Sequence, residues 1–192
     1  IAGRPSERAH GDKKPPVLFE WVRERYPEAR VVHRLDRETS GLILFARGAE
    51  AHRQANLWFQ NRRMKKTYSC LASGRANRPI LKIQKPIAGL PCTTQIEVKE
   101  RFSRAFLAQV RPLTGRRHQI RIHLSGEGLP ICGDVYYRGP RELPLATGVS
   151  VVFDRVALHA ASLELPSGEK FEAPLAEDFS RWLELLRAEA DS

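Results

Sequence analysis

The sequence predicts an α+β domain with a largely antiparallel (mixed) β-sheet and flanking helices and loops. Two observations favour this fold class. Short segments that alternate between apolar and polar residues follow one another along the chain, and helical patterns interrupt them irregularly, without the strict strand–helix alternation of a parallel sheet. With 192 residues, of which 42% are hydrophobic, we expect residues 1–192 to form one domain.

The first third of the chain combines an arm, two helices and short strands. Residues 1–16 are rich in Pro, Gly and charge, which predicts a loop or arm. Apolar residues at helical spacing predict a helix of about ten residues from Pro16 and a second helix over 49–63. The apolar runs 31–32 and 42–45 between them predict short strands.

The middle of the chain is expected to be rich in strands. Alternating patterns predict strands at 66–73, 93–100 and 105–111, and the last two are antiparallel neighbours. Thr114 could cap a helix through RRHQIRIHLS that Gly126 would end. A strand is the alternative for this segment, because its residues also alternate.

The last third is expected to hold a hairpin and a final helix. Residues 156–165 and 169–173 flank the sequence PSG, which is typical of a β-hairpin turn. Apolar residues at helical spacing follow Glu177 and Asp178. These carboxylates would stabilise the positive end of a C-terminal helix.

The charge of the chain points to a polyanionic partner. Thirty-two Lys and Arg residues against twenty-two Asp and Glu residues give a formal net charge of +10, which favours RNA or DNA. An anionic membrane surface is the weaker alternative because no basic amphipathic helix stands out, and no long apolar stretch predicts a transmembrane span. Cys70, Cys92 and Cys132 form neither a disulfide framework nor a zinc motif, so we expect a cytoplasmic protein.

Asp36 is the first candidate for chemistry. It lies in VVHRLDRETSGLILFA, close to Arg34 and Arg37, whose positive charge would keep a partly buried carboxylate ionised. Such a carboxylate could act as a nucleophile, a general base or a metal ligand. A surface loop with an Asp–Arg pair is the alternative for this stretch taken alone.

Two further clusters are basic. The segment TGRRHQIRIH has the composition of an anion site at a helix start, or of a solvated helix face. The segment RRMKKTY places basic residues before a strand that contains Tyr68, which suits RNA backbone contacts with base stacking. A basic helix end beside a core tyrosine is the alternative.

Taken together, the three segments resemble a known family. HRLDRETSGLILFA, KKTYSCLASG and PLTGRRHQIRIHLSGEGLPICGDVYY resemble, in order and spacing, the signatures of the RluA family of pseudouridine synthases, from about residue 15 to about residue 175. The resemblance implies an isomerase that breaks the glycosidic bond of a uridine in rRNA or tRNA, rotates the uracil and rejoins it through carbon. It also implies that no cofactor and no metal is needed.

The resemblance assigns roles to individual residues. Asp36 is expected to be the catalytic carboxylate, which attacks the ribose or removes a proton from it, and Arg121 its ion-pair partner. Tyr68 is expected to sit over the base and to assist the final proton removal. Leu158 would pack on the other side of the uracil, and Arg34 would help occupy the space that the flipped uridine leaves.

The remaining basic residues are expected to contact phosphates, with His118 and Gln119 as structural supports. The phosphate contacts are Arg62, Arg63, Lys65, Lys66, Arg116 and Arg117. A non-catalytic RNA-binding protein is the alternative function; it predicts loss of Asp36, Tyr68 or Arg121, and all three are present. A metal-dependent nuclease would need more convergent carboxylates than the motifs contain.

The beginning of the chain departs from the family pattern. The family starts with a strand and an NKPAG-like turn, whereas IAGRPS resembles only the end of that turn. We therefore expect a truncated N-terminal strand and no appended RNA-binding domain, so that substrate choice depends on the catalytic domain, which we expect to be a monomer.

Overall fold

The described part of the chain, residues 17–146 and 148–190 of a computed structural model, contains four helices and eleven strands. In chain order these elements are α1 (Leu18–Arg25), β1 (Ala29–Val31), β2 (Ser40–Gly41), β3 (Phe45–Arg47), α2 (Gly48–Gln60), β4 (Lys65–Ser73), β5 (Ile80–Ile83), β6 (Thr94–Arg101), β7 (Ala105–Pro112), α3 (Gln119–Gly126), β8 (Glu142–Pro144), β9 (Ser150–Val152), β10 (Leu158–Glu164), β11 (Lys170–Glu172) and α4 (Glu177–Ala190). A single 3-10 turn, Val135–Tyr137, lies between α3 and β8.

A seven-stranded sheet forms the centre of these described residues. Its strand order is β11-β10-β4-β7-β6-β5, and the short strand β2 pairs with β10. The β2–β10 pairing is parallel and all the others are antiparallel. The predicted α+β fold with a mixed, largely antiparallel sheet is therefore confirmed.

The core lies where one face of the sheet meets the helices. β6 alternates as the sequence predicts, because Ile96 and Val98 are buried while Gln95 is exposed. α4 packs Trp182 against Phe153, with ring centroids 5.0 Å apart. Burial of each such side chain contributes about 1.5–3 kcal/mol, so this contact holds α4 against the residue that follows β9.

The first half of the predicted elements is confirmed with shifted ends. α1 forms, and α2 ends at Gln60 because Arg62 adopts a left-handed backbone with φ 55°. The strand predicted at 42–45 is wrong except for its last residue. Within the part that does not form a strand, the amide of Leu44 donates to the His33 ring over 2.9 Å, rather than to another strand.

The helix predicted after Thr114 forms, and the strand alternative is wrong. α3 begins only at Gln119, because His118 has a left-handed φ of 55°. Thr114 does not cap the helix backbone; its hydroxyl donates to the Gln119 side chain over 2.6 Å.

The antiparallel pair β6–β7, the hairpin β10–β11 and α4 confirm the remaining predictions, whereas the sequence patterns missed β5, β8 and β9. The predicted arm at residues 1–16 and the expected N-terminal truncation lie outside the described residues. None of the helices in the described ranges is long and apolar enough to cross a membrane.

Candidate active site

One cavity of about 400 Å³ is lined by all three motif segments. The loop between β1 and β2, the strands β4 and β10, and the turn before α3 meet there. The cavity therefore brings together most of the residues that the sequence singled out. These are Arg34, Asp36, Lys66, Tyr68, Arg116, Arg117, Arg121 and Leu158.

Each carboxylate oxygen of Asp36 faces a nitrogen atom of another side chain. Arg121 Nη1 lies 3.4 Å from Asp36 Oδ2, and His118 Nε2 lies 3.6 Å from Oδ1. The Asp36 side chain is 20% exposed, so it is open to the cavity but largely withdrawn from bulk water. Two nitrogen groups directed at one carboxylate restrict its orientation.

Backbone pairing holds the loop that contains Asp36. The amide of Thr39 donates to the Asp36 carbonyl over 3.0 Å, which closes a turn. Gly41 then pairs with Ala160 of β10 at φ 102°, and a Cβ atom at Gly41 would lie 2.2 Å from the Ala160 carbonyl oxygen. Only glycine allows this approach, which anchors the loop to the central sheet.

Asp134 is the functional neighbour that the sequence analysis missed. Arg121 donates from Nε and Nη2 to the two Asp134 oxygens over 2.6 and 2.7 Å, and the Asp134 side chain is fully buried. Burial alone would lower the pKa of Arg121, but Asp134 and then Asp36 outweigh it and raise that pKa. Two nitrogens of the guanidinium are thus fixed, and the third points to Asp36. Asp134 lies in the motif ICGDVYY, and this aspartate after a glycine is the signal that could have pointed to it.

His118 is more than a structural support, because it lies against Asp36. With Nε2–H directed at the carboxylate, Nδ1 is the acceptor for the Tyr137 hydroxyl, 3.0 Å away. The Tyr137 ring also lies 5.0 Å from the Arg121 guanidinium carbon. Burial lowers the pKa of His118 and outweighs the attraction of Asp36, so the ring is neutral at neutral pH.

Gln119 supports the turn before α3 as expected. Its amide oxygen accepts from the Thr114 hydroxyl and from the Arg116 amide, and its NH₂ group donates to Thr93 and Thr94. The four contacts fasten the turn to the start of β6, and so they place His118 and Arg121.

Tyr68 and Leu158 line the cavity from neighbouring strands. Tyr68 lies in β4 and pairs with Ala160 of β10, two residues beyond Leu158. Burial, followed by the charge of Asp36, raises the pKa of Tyr68 to about 12. The phenol is therefore protonated at neutral pH, which suits packing and hydrogen-bond donation and makes action as a base an uphill step.

Lys66 lies on the same wall of the cavity as a half-buried histidine, His33. Burial lowers the pKa of Lys66, and burial followed by the Lys66 charge lowers the pKa of His33 to about 4. The neutral His33 ring stacks on Phe59 with centroids 4.9 Å apart.

The structure does not bring Arg62 and Lys65 to the cavity. Arg62 is exposed in the turn after α2. Lys65 lies on the opposite face of the sheet from Lys66 because successive strand residues alternate, and it forms a 2.6 Å ion pair with Glu164. Within residues 17–146 and 148–190, no group of three or more His, Cys, Asp or Glu side chains is placed to hold a metal ion.

Two solved structures resemble this fold. Human RNA Pseudouridylate Synthase Domain Containing 4 superposes with a TM-score of 0.70 at 24% identity, covering 83% of this chain and 76% of that one. Human RNA Pseudouridylate Synthase Domain Containing 1 superposes with a TM-score of 0.68 at 25% identity, covering 91% and 85%. Both matches extend over most of the chain, so they support the fold described above.

Sequence comparisons identify the family. Residues 3–126 match the family described as RNA pseudouridylate synthase. Ribosomal large subunit pseudouridine synthase C of Escherichia coli (strain K12) is 35% identical over 88% of this chain and 61% of the relative. Ribosomal large subunit pseudouridine synthase D of Pseudomonas aeruginosa is 34% identical over 86% and 59%. The chain thus spans about three fifths of these relatives, and it belongs to the RluA family of RNA pseudouridylate synthases.

Proposed function

We propose that this protein is an RNA pseudouridine synthase with Asp36 as its catalytic carboxylate. The observation that supports this most directly is the Asp36 carboxylate itself, which faces the cavity between Arg121 and His118. A single oriented carboxylate suffices for an internal isomerisation, in which no water has to be added. The family membership and the names of the relatives support the same activity.

The reaction exchanges one bond to the ribose for another. The bond between C1′ and N1 of uracil breaks, the base rotates and a bond between C1′ and C5 forms. C5 then loses its proton and N1 gains one, so the product is an isomer of uridine. Asp36 starts this sequence either by attack on the ribose or by proton abstraction from it. Arg121 and His118 hold the carboxylate in position for this first step.

The target uridine has to leave its stack to reach Asp36. Base flipping requires a few kcal/mol, which contacts in the pocket offset. In this proposal the uracil lies between Tyr68 and Leu158, and Arg34 helps to fill the space left in the RNA.

Phosphates then contact Lys66, Arg116 and Arg117 around the cavity. Arg62 is left to contacts outside the cavity, whereas Lys65 is paired with Glu164 on the opposite face of the sheet and is not part of this phosphate site. The names of the relatives support large-subunit ribosomal RNA as the substrate. Transfer RNA is the alternative substrate, and incubation with both RNA classes distinguishes the two.

The test incubates the purified protein with total rRNA and tRNA from a strain that lacks it. New pseudouridines are then mapped by carbodiimide-dependent reverse-transcription stops. We expect new stops in large-subunit rRNA with the native protein and with Asp154→Asn, which changes an exposed aspartate elsewhere. Asp36→Asn should abolish the stops while RNA binding remains.

A different pattern would reject the proposal. If the native protein binds RNA but produces no new site in either RNA class, the non-catalytic binding protein is the better description. If Asp36→Asn modifies RNA as well as the native protein does, Asp36 is not the catalytic carboxylate.

A further inference from the structure

The 3-10 turn Val135–Tyr137 presents one aromatic side chain to solvent. Tyr136 is 79% exposed, the highest value among the exposed large hydrophobic side chains of the described residues. Its neighbour Tyr137 is instead partly buried, bonded to His118 and packed on Arg121. Tyr137 therefore has a role within the fold, whereas the ring of Tyr136 remains available to a partner.

The turn is held rigidly on both sides of Tyr136. Asp134 accepts a hydrogen bond from the Tyr137 amide, and the Ser125 hydroxyl donates to the Tyr137 carbonyl over 2.8 Å. Gly139 packs so closely that a Cβ atom there would lie 1.8 Å from the Ile131 carbonyl oxygen. A ligand that binds Tyr136 does not have to order this backbone, so little entropy is lost on binding.

Tyr136 also lies next to the proposed catalytic centre. Its ring centroid is 6.4 Å from that of His118, whose Nε2 is 3.6 Å from Asp36. Arg117 precedes His118 and lines the cavity, and Arg138 follows the turn and is exposed. An exposed aromatic ring in a segment that also contains an exposed arginine, beside a cavity lined by further arginines, has the composition of a site for a nucleobase and its phosphates.

We propose that Tyr136 stacks on the base of a nucleotide adjacent to the target uridine. This inference rests on the proposed function, because flipping of a uridine into the Asp36 cavity deprives its neighbours of a stacking partner. The exposed ring beside His118, which lines the cavity, replaces that partner. Tyr136 thus contributes to the choice of which uridine is modified, through the strength of stacking rather than through hydrogen bonds to a base edge.

The test measures kcat/KM for the native protein and Tyr136→Ala on an RNA that contains the mapped target site. Two further RNAs carry an abasic nucleotide immediately before or immediately after the target. We expect Tyr136→Ala to lower kcat/KM about tenfold on the intact RNA, since stacking on one base is worth about 1–3 kcal/mol. On the abasic RNA that lacks the stacked neighbour, the two proteins should differ less than about twofold.

Controls separate stacking from other effects. Tyr136→Phe should retain native kcat/KM because it keeps the ring. Trp21→Ala removes an exposed aromatic side chain that does not line the cavity, and it should have no effect. An equal loss of kcat/KM for Tyr136→Ala on all three RNAs would mean that Tyr136 acts through His118, and it would overturn the inference. Native kcat/KM for Tyr136→Ala on every RNA would overturn it as well. Failure of the native protein to form pseudouridine is a separate result that rejects the proposed function.

Discussion

At the residue scale, the arrangement around Asp36 depends on how Arg121 is held. A guanidinium has five N–H donors in a planar fork, and Asp134 occupies two of its nitrogens. The direction of the remaining nitrogen is then fixed, so its 3.4 Å contact with Asp36 is determined by a residue that does not touch the cavity. Asp134 is therefore a positioning residue in the proposed mechanism.

Asp134→Asn tests this dependence. Loss of one partner from a buried ion pair costs about 3–5 kcal/mol, and we expect a decrease near 3 kcal/mol in the free energy of unfolding because Asn keeps one acceptor. The kcat for pseudouridine formation should fall sharply with little change in KM. Urea unfolding and steady-state kinetics measure the two effects.

Asp178→Asn is the matched control for that variant. Asp178 receives the same two-nitrogen contact from Arg155, over 2.6 and 2.7 Å, but 39% of its side chain is exposed. Loss of this contact in Asp178→Asn should therefore lower the free energy of unfolding by no more than about 1 kcal/mol and leave kcat unchanged. Equal effects of the two substitutions on stability and kcat would show that burial of Asp134 has no special role.

At the element scale, the short strand β2 connects the loop of Asp36 to the sheet. Its parallel pairing with β10 places Gly41 directly against the Ala160 backbone. β10 also contains Leu158, so one strand fixes the position of both the proposed catalytic loop and one wall of the cavity.

Gly41→Ala should disrupt this connection, and Gly48→Ala provides the comparison. Both glycines have positive φ, but a Cβ atom at Gly48 meets nothing within 4 Å, whereas at Gly41 it would meet the Ala160 backbone. Gly48→Ala should lower the free energy of unfolding by about 1–2 kcal/mol, from backbone strain alone. Gly41→Ala should cost clearly more and also abolish pseudouridine formation, as measured by unfolding and by mapped stops. Retention of native activity in Gly41→Ala would mean that the β2–β10 pairing does not position Asp36.

Elements with strong local patterns were predictable from the sequence, and those set by long-range contacts were not. β6 and β7 alternate along their length, so their pairing was predicted. The start of α3 was misplaced because the Thr114 hydroxyl bonds to a side chain, Gln119, which a local capping pattern does not reveal. The Asp134–Arg121 pair was missed because the loop after α3 brings the two side chains together, which no local pattern reveals.

At the scale of the whole molecule, the central sheet separates two sets of positive charges. Lys66, Arg116 and Arg117 line the Asp36 cavity on one face, whereas Lys65 lies on the other face and is paired with Glu164. In the proposed function, the formal charge of +10 attracts RNA from a distance in any orientation. In the same proposal, the basic residues that line the cavity favour docking of the RNA on that face.

Arg117→Ala and Lys65→Ala test this asymmetry with one positive charge removed in each. Loss of one phosphate contact reduces the slope of the logarithm of the binding constant against the logarithm of the salt concentration by about 0.7–1. It also weakens binding to all RNA sequences alike. We expect this for Arg117→Ala, with kcat on saturating RNA nearly unchanged, when binding is measured at several salt concentrations. Lys65→Ala should leave the slope nearly unchanged, because its charge is already paired with Glu164 on the face away from Asp36. An equal reduction of the slope by both substitutions would show that the RNA contacts both faces of the sheet.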